Sequence, residues 1–128
     1  MVDSGRWTVK KKSSHPSMRV VNLKEGMPQV REAMSRMEGE LRRARAEGVK
    51  VVKFVHGYGS SGVGGEIRIA VQNGLLKRLS QGESKVVIFG ENWRIADETT
   101  WELLKKMPEL KSDVDLGRQN KGSTVVVL

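Results

Sequence analysis

His56 is followed by five glycines in the nine positions from Gly57 to Gly65, and Arg68 stands just beyond them. Glycine weakens regular structure unless the backbone needs the room. The stretch FVHGYGSSGVGGEIR therefore marks either a costly loop or a place where backbone comes close to something. Bare N–H groups that open a helix make an anion site. His56 at the end of a strand faces the same anion. Ser60 and Ser61 add hydroxyl donors, and Arg68, about one turn into the helix, adds a charge-assisted contact. The chemistry on offer is phosphate binding. The competing reading is a flexible loop with a structural histidine capping a strand end.

Gly57, Gly59 and Gly62 also fit G-x-G-x-x-G between a strand and a helix, the setting of a dinucleotide fingerprint, with Glu91 as a loose match for the ribose-binding acid. The match is weak. The strand is not the first of the fold, and the glycines run on through Gly64 and Gly65. A Walker A loop in its usual form is excluded, because no Lys-Ser or Lys-Thr follows the glycines.

The elements that must position these residues alternate. MRVVNL (Met18–Leu23) reads as a short β-branched strand. Met27, Val30, Met34, Met37, Leu41 and Ala44 then alternate spacings of three and four, an apolar stripe on a helix from about Pro28 to Glu47. Pro28 suits its first turn and Gly48 its stop. VKVVKFV (Val49–Val55) is the second strand. Ile67, Ala70, Val71, Leu75 and Leu79 mark a second helix, with Gly82 beyond its end. SKVVIF (Ser84–Phe89) and STVVVL (Ser123–Leu128) are the remaining strands. Between them lies a long excursion in which Asp97 N-caps a short helix ending before Pro108. The order β-α-β-α-β-(α)-β predicts an α/β domain built on one sheet.

The 128-residue length fits one domain, with residues 1–17 as a basic arm and 18–128 as the body. The formal charge of +8 is unevenly spread. Residues 1–24 carry six basic side chains against one acidic, and residues 40–78 carry eight against three. Residues 83–115 reverse the balance, with five basic and eight acidic. A basic body with an acidic C-terminal third points to a polyanion on one side. There is no cysteine, which removes disulfide and thiolate-zinc chemistry. No apolar run approaches a membrane span, and the first residues lack the apolar middle of a signal peptide, so a cytoplasmic protein with no membrane partner is expected.

VHGYG, followed by a helix opening EIR, resembles the H-G-x-G and L-R signature of the Smr (small MutS-related) domain. The resemblance runs from about Met18 to Leu128 and includes VVNL, QVREAM, GVKVVKFVHG and NKGSTVVVL in order. It implies a two-layer α/β fold with a mixed four-stranded sheet, similar to the C-terminal domain of bacterial translation initiation factor three. It further implies DNA or RNA binding and, in several members, endonuclease activity. The H-G-x-G residues carry over onto His56, Gly57 and Gly59. An earlier D-L-H/R-G motif does not. In NLKEG, Asn22 replaces the acid, Lys24 replaces the His or Arg, and Glu25 is inserted before Gly26. The helix-bearing segment at about 91–118 has no counterpart in the plain domain.

Phosphodiester cleavage needs a proton carrier and charge stabilisation at the phosphate. His56 is the candidate acid or base, with Lys24, Arg68 and the loop amides stabilising charge. Glu25 or Glu66 stands in for the missing carboxylate. No cluster has metal-ligand spacing, so magnesium or manganese enters only if the protein is a nuclease, held by one or two carboxylates and phosphate. Lys10, Lys11 and Lys12 supply backbone contacts from the arm. Three readings stay open: a nucleic-acid-binding domain with weak or conditional endonuclease activity, a non-catalytic DNA- or RNA-binding module, and a binder or enzyme of a phosphorylated small molecule. Of the tryptophans in the excursion, Trp93 is the better surface candidate for stacking a base, and Trp101 is assigned to packing.

Overall fold

The computed structural model describes residues 17–59 and 63–128. Lys10, Lys11 and Lys12 lie outside the described residues, as do Ser60, Ser61 and Gly62. The chain forms β1 (Met18–Asn22), α1 (Val30–Ala46), β2 (Val51–Val55), α2 (Val63–Ser80), β3 (Val86–Phe89), α3 (Glu98–Lys106) and β4 (Ser123–Val127). Short 3-10 turns at Gly90–Asn92 and Pro108–Ser112 flank α3.

The sheet order is β1-β2-β4-β3. β1 runs parallel to β2, and β4 is antiparallel to both β2 and β3. The three strands followed by helices or turns thus point one way, with β4 slotted between the second and third. Both crossovers advance in the same direction across the sheet, so α1 and α2 fall on the same face. The expected mixed four-stranded sheet is observed.

Strand alternation sorts the core into two clusters. Val21, Val52, Phe54 and Val126 face α1 and α2, where they meet Met37, Leu41, Val71 and Leu75. The helices approach closely at Gly74: a Cβ there would stand 2.9 Å from the Met34 Cε. The other face carries Met18, Val51, Ile88 and Val125 and is covered by the excursion through Trp93, Leu103, Leu104 and Leu110. Asp97 caps α3, its carboxylate accepting from Thr100 N at 2.9 Å.

The start of α1 differs from the sequence reading. Gly26 and Met27 both take positive φ, 79° and 48°, and the Met27 N–H donates to the Lys24 carbonyl at 3.1 Å. Met27 is therefore a turn residue, 91% exposed, and not the first of the apolar stripe. Pro28 sits outside the helix, which begins at Val30 with Glu32 accepting the Gln29 N–H at 3.0 Å.

The tryptophan assignments reverse. Trp93 is fully buried, its indole N–H donating to Asp113 Oδ2 at 2.9 Å. Trp101 is 38% exposed on the outer side of α3, with the Lys111 ammonium 5.5 Å from its ring centroid. The loop after β3 turns back over the sheet and carries Trp93 inward, so α3 presents Trp101 outward.

Asp113 also belongs to a buried ionic cluster. Lys53, in the middle of β2, is only 3% exposed and lies on the face covered by the excursion. Its ammonium donates to Asp113 Oδ1 at 2.9 Å and to Asp115 Oδ2 at 2.6 Å. Burial pushes the Asp115 carboxyl up, but hydrogen bonds from Lys53 and Asn120 outweigh that and hold it below its ordinary 3.8. Two of the acidic residues in the excursion thus neutralise a lysine of the sheet and fasten the segment down.

Candidate functional site

The C-terminal ends of β1, β2 and β3 and the start of β4 meet at one edge of the sheet. Open α/β sheets place ligands at such an edge. β1 delivers Lys24, β2 delivers His56, Gly57 and Tyr58, β3 delivers Gly90 and Glu91, and the turn before β4 delivers Asn120 and Lys121. α2 contributes Arg68 from its second turn.

Asn22, in place of an acid, has a local task. Its Oδ1 accepts the Lys24 N–H at 2.9 Å, an Asx-type turn that ends β1 and aims the chain across the edge. The Lys24 stem crosses Gly57: a Cβ on Gly57 would lie 3.5 Å from the Lys24 Cδ. Gly57 and Gly59 have φ of 86° and 102°, so the bare backbone is a conformational need at both. Glu25 lies exposed at the tip of the turn, with its carbonyl bonded to Arg36, and Glu66 is exposed on α2.

His56 is wholly buried. Its Nδ1 lies 2.9 Å from the Gly57 carbonyl, which can only accept, so Nδ1 carries the proton. Nε2 lies 2.9 Å from Thr124 Oγ1 and accepts from that hydroxyl, which in turn accepts from Gln72 Nε2 at 3.2 Å. The backbone is engaged as well: the N–H groups of His56 and Gly57 both donate to the Gly122 carbonyl, at 2.9 and 3.1 Å. The Gly57 amide therefore serves the fold and not an anion. Gln72, Thr124 and His56 tie α2, β4 and β2 together beneath the loop.

Burial pushes the His56 pKa below its ordinary 6.5; the bond to Gly57 opposes this and Arg68 adds to it. The unfolded chain takes up a proton near 6.5 and the folded one resists. Stability is then complete above pH 6.5 and declines as pH falls below 6.5 towards the lowered folded value. Thermal melts between pH 8 and pH 5, as a wide bracket about the ordinary pKa, should show this decline in the wild type. It should disappear in His56→Gln, which carries the same His15. The variant should be less stable above pH 6.5 by about 1–3 kcal/mol through the broken buried network. Equal pH slopes in both proteins contradict the assignment.

Two residues at the edge escaped the sequence reading, Tyr58 and Lys121. Tyr58 is 56% exposed. Arg68 Nε donates to its carbonyl at 3.2 Å, the guanidinium lies 6.0 Å from its ring centroid, and the Lys121 ammonium lies 5.6 Å from the same centroid. Tyr58 stood in plain view in the H-G-x-G segment. Lys121 precedes the last strand, and only the pairing of that strand with β2 makes it a neighbour. Glu91, also at the edge, has a buried Oε1 with no hydrogen-bond partner among the described residues. No three His, Asp or Glu side chains group to hold a metal among those residues. No described helix is long and apolar enough to cross a membrane.

Three mutually parallel strands, an antiparallel strand between the second and third, and two helices on one face define a small mixed α/β domain with its candidate site at the strand ends. The fold is Smr-like: the Smr domain of Thermus thermophilus MutS2 matches with a TM-score of 0.52 and 22% identity, over 86% of this chain and 96% of that domain. No family model matches the sequence, and no curated protein matches it.

Proposed function

We propose that this chain is a nucleic-acid-binding Smr-like module that holds the sugar-phosphate backbone of DNA or RNA across the C-terminal edge of its sheet. The observation that carries the reading is the convergence of Lys24, Arg68 and Lys121 from three separate stretches around Gly57 and Tyr58. The net charge of +8 and the resemblance of VHGYG to the Smr signature support it. Lys10, Lys11 and Lys12 add phosphate contacts in this reading.

The state of His56 supports binding over cleavage. A proton carrier must reach its substrate, and this ring is buried with both nitrogens committed. A small phosphorylated ligand has less support. An open cleft of about 280 Å3 lies along the free edge of β3, but Leu76, Val87, Phe89, Asp97 and their neighbours line it without a basic residue.

Fluorescence anisotropy with a labelled oligonucleotide, repeated across salt concentrations, tests the reading. The affinity of the wild type should fall steeply with salt. Neutralising Lys24, Arg68 and Lys121 together should make the log–log slope shallower by about two to three. An unchanged slope in the folded variant would place binding elsewhere.

A further inference from the structure

Tyr58 has no role in either core. Its backbone stands between two positive-φ glycines and is restrained by one side-chain bond, from Arg68 Nε to its carbonyl. The result is a large aromatic ring held out in solvent at the strand-end edge. Its two cationic neighbours sit near 6 Å from the centroid, the outer limit of an attractive cation–ring contact. The ring contacts are loose: Lys121 can move its ammonium to another partner, and Arg68, anchored through Nε, can turn its terminal nitrogens to one. A ring flanked by two such cations matches a base flanked by its two phosphates.

We propose that Tyr58 is a stacking platform for an unpaired nucleobase, with Arg68 and Lys121 taking the phosphates on either side. The inference rests on the nucleic-acid reading and narrows its substrate to single-stranded or locally unpaired DNA or RNA. Bases inside a duplex already use both faces on their neighbours, whereas an unpaired base offers a face to the ring. Stacking of this kind tolerates any base, because every base has a π-face. It makes Tyr58 the residue that separates strand states, and leaves general affinity to the charges.

The test uses three labelled probes, in DNA and RNA forms: a single strand of about twelve nucleotides, within the span such sites cover, a blunt duplex of the same sequence, and the single strand with abasic positions. The wild type should bind the intact single strand about tenfold or more tighter than the duplex or the abasic strand. Tyr58→Ala should lose that preference, its affinity for the intact single strand falling about tenfold or more further than its affinity for the duplex. Tyr58→Phe should keep it, since only the ring is needed. The side chain is exposed, so both variants should melt like the wild type. If binding persists but Tyr58→Ala does not change the ratio, or the abasic strand binds as well as the intact one, the platform is overturned while the charge-based reading stands. If no probe binds at low salt, both fall together.

Discussion

Gly90→Ala should unfold the protein or cost it about 4 kcal/mol or more, well beyond ordinary overpacking. Gly90 follows β3 and presses against the turn that starts β4. A Cβ there would stand 1.8 Å from the Asn120 carbonyl oxygen and 2.7 Å from the Ser123 carbonyl oxygen. Backbone atoms cannot rotate away as a side chain can. The same turn supplies Gly122, whose carbonyl holds the His56 and Gly57 amides, so its displacement would also dismantle the site. Gly82→Ala is the control. Nothing lies within 4 Å of its Cβ, and only its φ of 77° opposes the change, which should cost about 1 kcal/mol. Urea unfolding of the two variants measures the difference. Similar midpoints would show that the packing at Gly90 is looser than described.

Lys53→Met should cost about 3–5 kcal/mol, because removing one partner of a buried ion cluster strands the others. Asp113 and Asp115 would then lie under the excursion without their cation, and Trp93 would donate to an uncompensated carboxylate. The acid response should change too. Asp115, held below 3.8 in the fold, contributes stability that is present above 3.8 and lost as pH falls through its lowered value. Without Lys53 the burial of Asp115 is left opposed only by Asn120 and Arg118, so the deficit of the variant should be largest near neutral pH and should narrow in acid, where the carboxylates are protonated. Adding Asp115→Asn to Lys53→Met should recover part of the loss. A Lys53→Met protein as stable as the wild type, with unchanged acid unfolding, would mean that the cluster does not fasten the excursion.

The cluster and the site are joined through Asn120. Its Nδ2 donates to Asp115 Oδ1 at 3.1 Å, and its Oδ1 accepts the Gly122 N–H at 2.9 Å. The chain of contacts runs from Lys53 on the covered face to the turn that grips His56. The excursion therefore braces the edge that carries Lys121.

Local signals in the sequence were sufficient for the strands, for most of α1, and for the Asp97 cap. Each depends on residues a few positions apart. What the sequence left hidden depends on distant partners. Trp93 faces inward because Asp113, twenty residues on, receives its N–H. Lys53 interrupts an otherwise apolar strand, and its burial follows only once a second layer covers that face. His56 was open to two readings, facing an anion or capping a strand end, and its ring is buried on a bond to Thr124, 68 positions away. Met27 shows the opposite failure. Its spacing matched the helix by coincidence, while Gly26 had already turned the chain.

Amide chemical-shift mapping would locate the nucleic acid on the strand-end edge residue by residue. The nitrogen-15-labelled protein is titrated at low salt with an unpaired oligonucleotide. Shifts are expected at Lys24, Gly57, Tyr58, Arg68, Lys121 and Gly122, with Trp101 and Lys111 on the outer side of the excursion unmoved. Shifts concentrated at Trp101 and Lys111, with the strand-end residues unmoved at saturation, would contradict it.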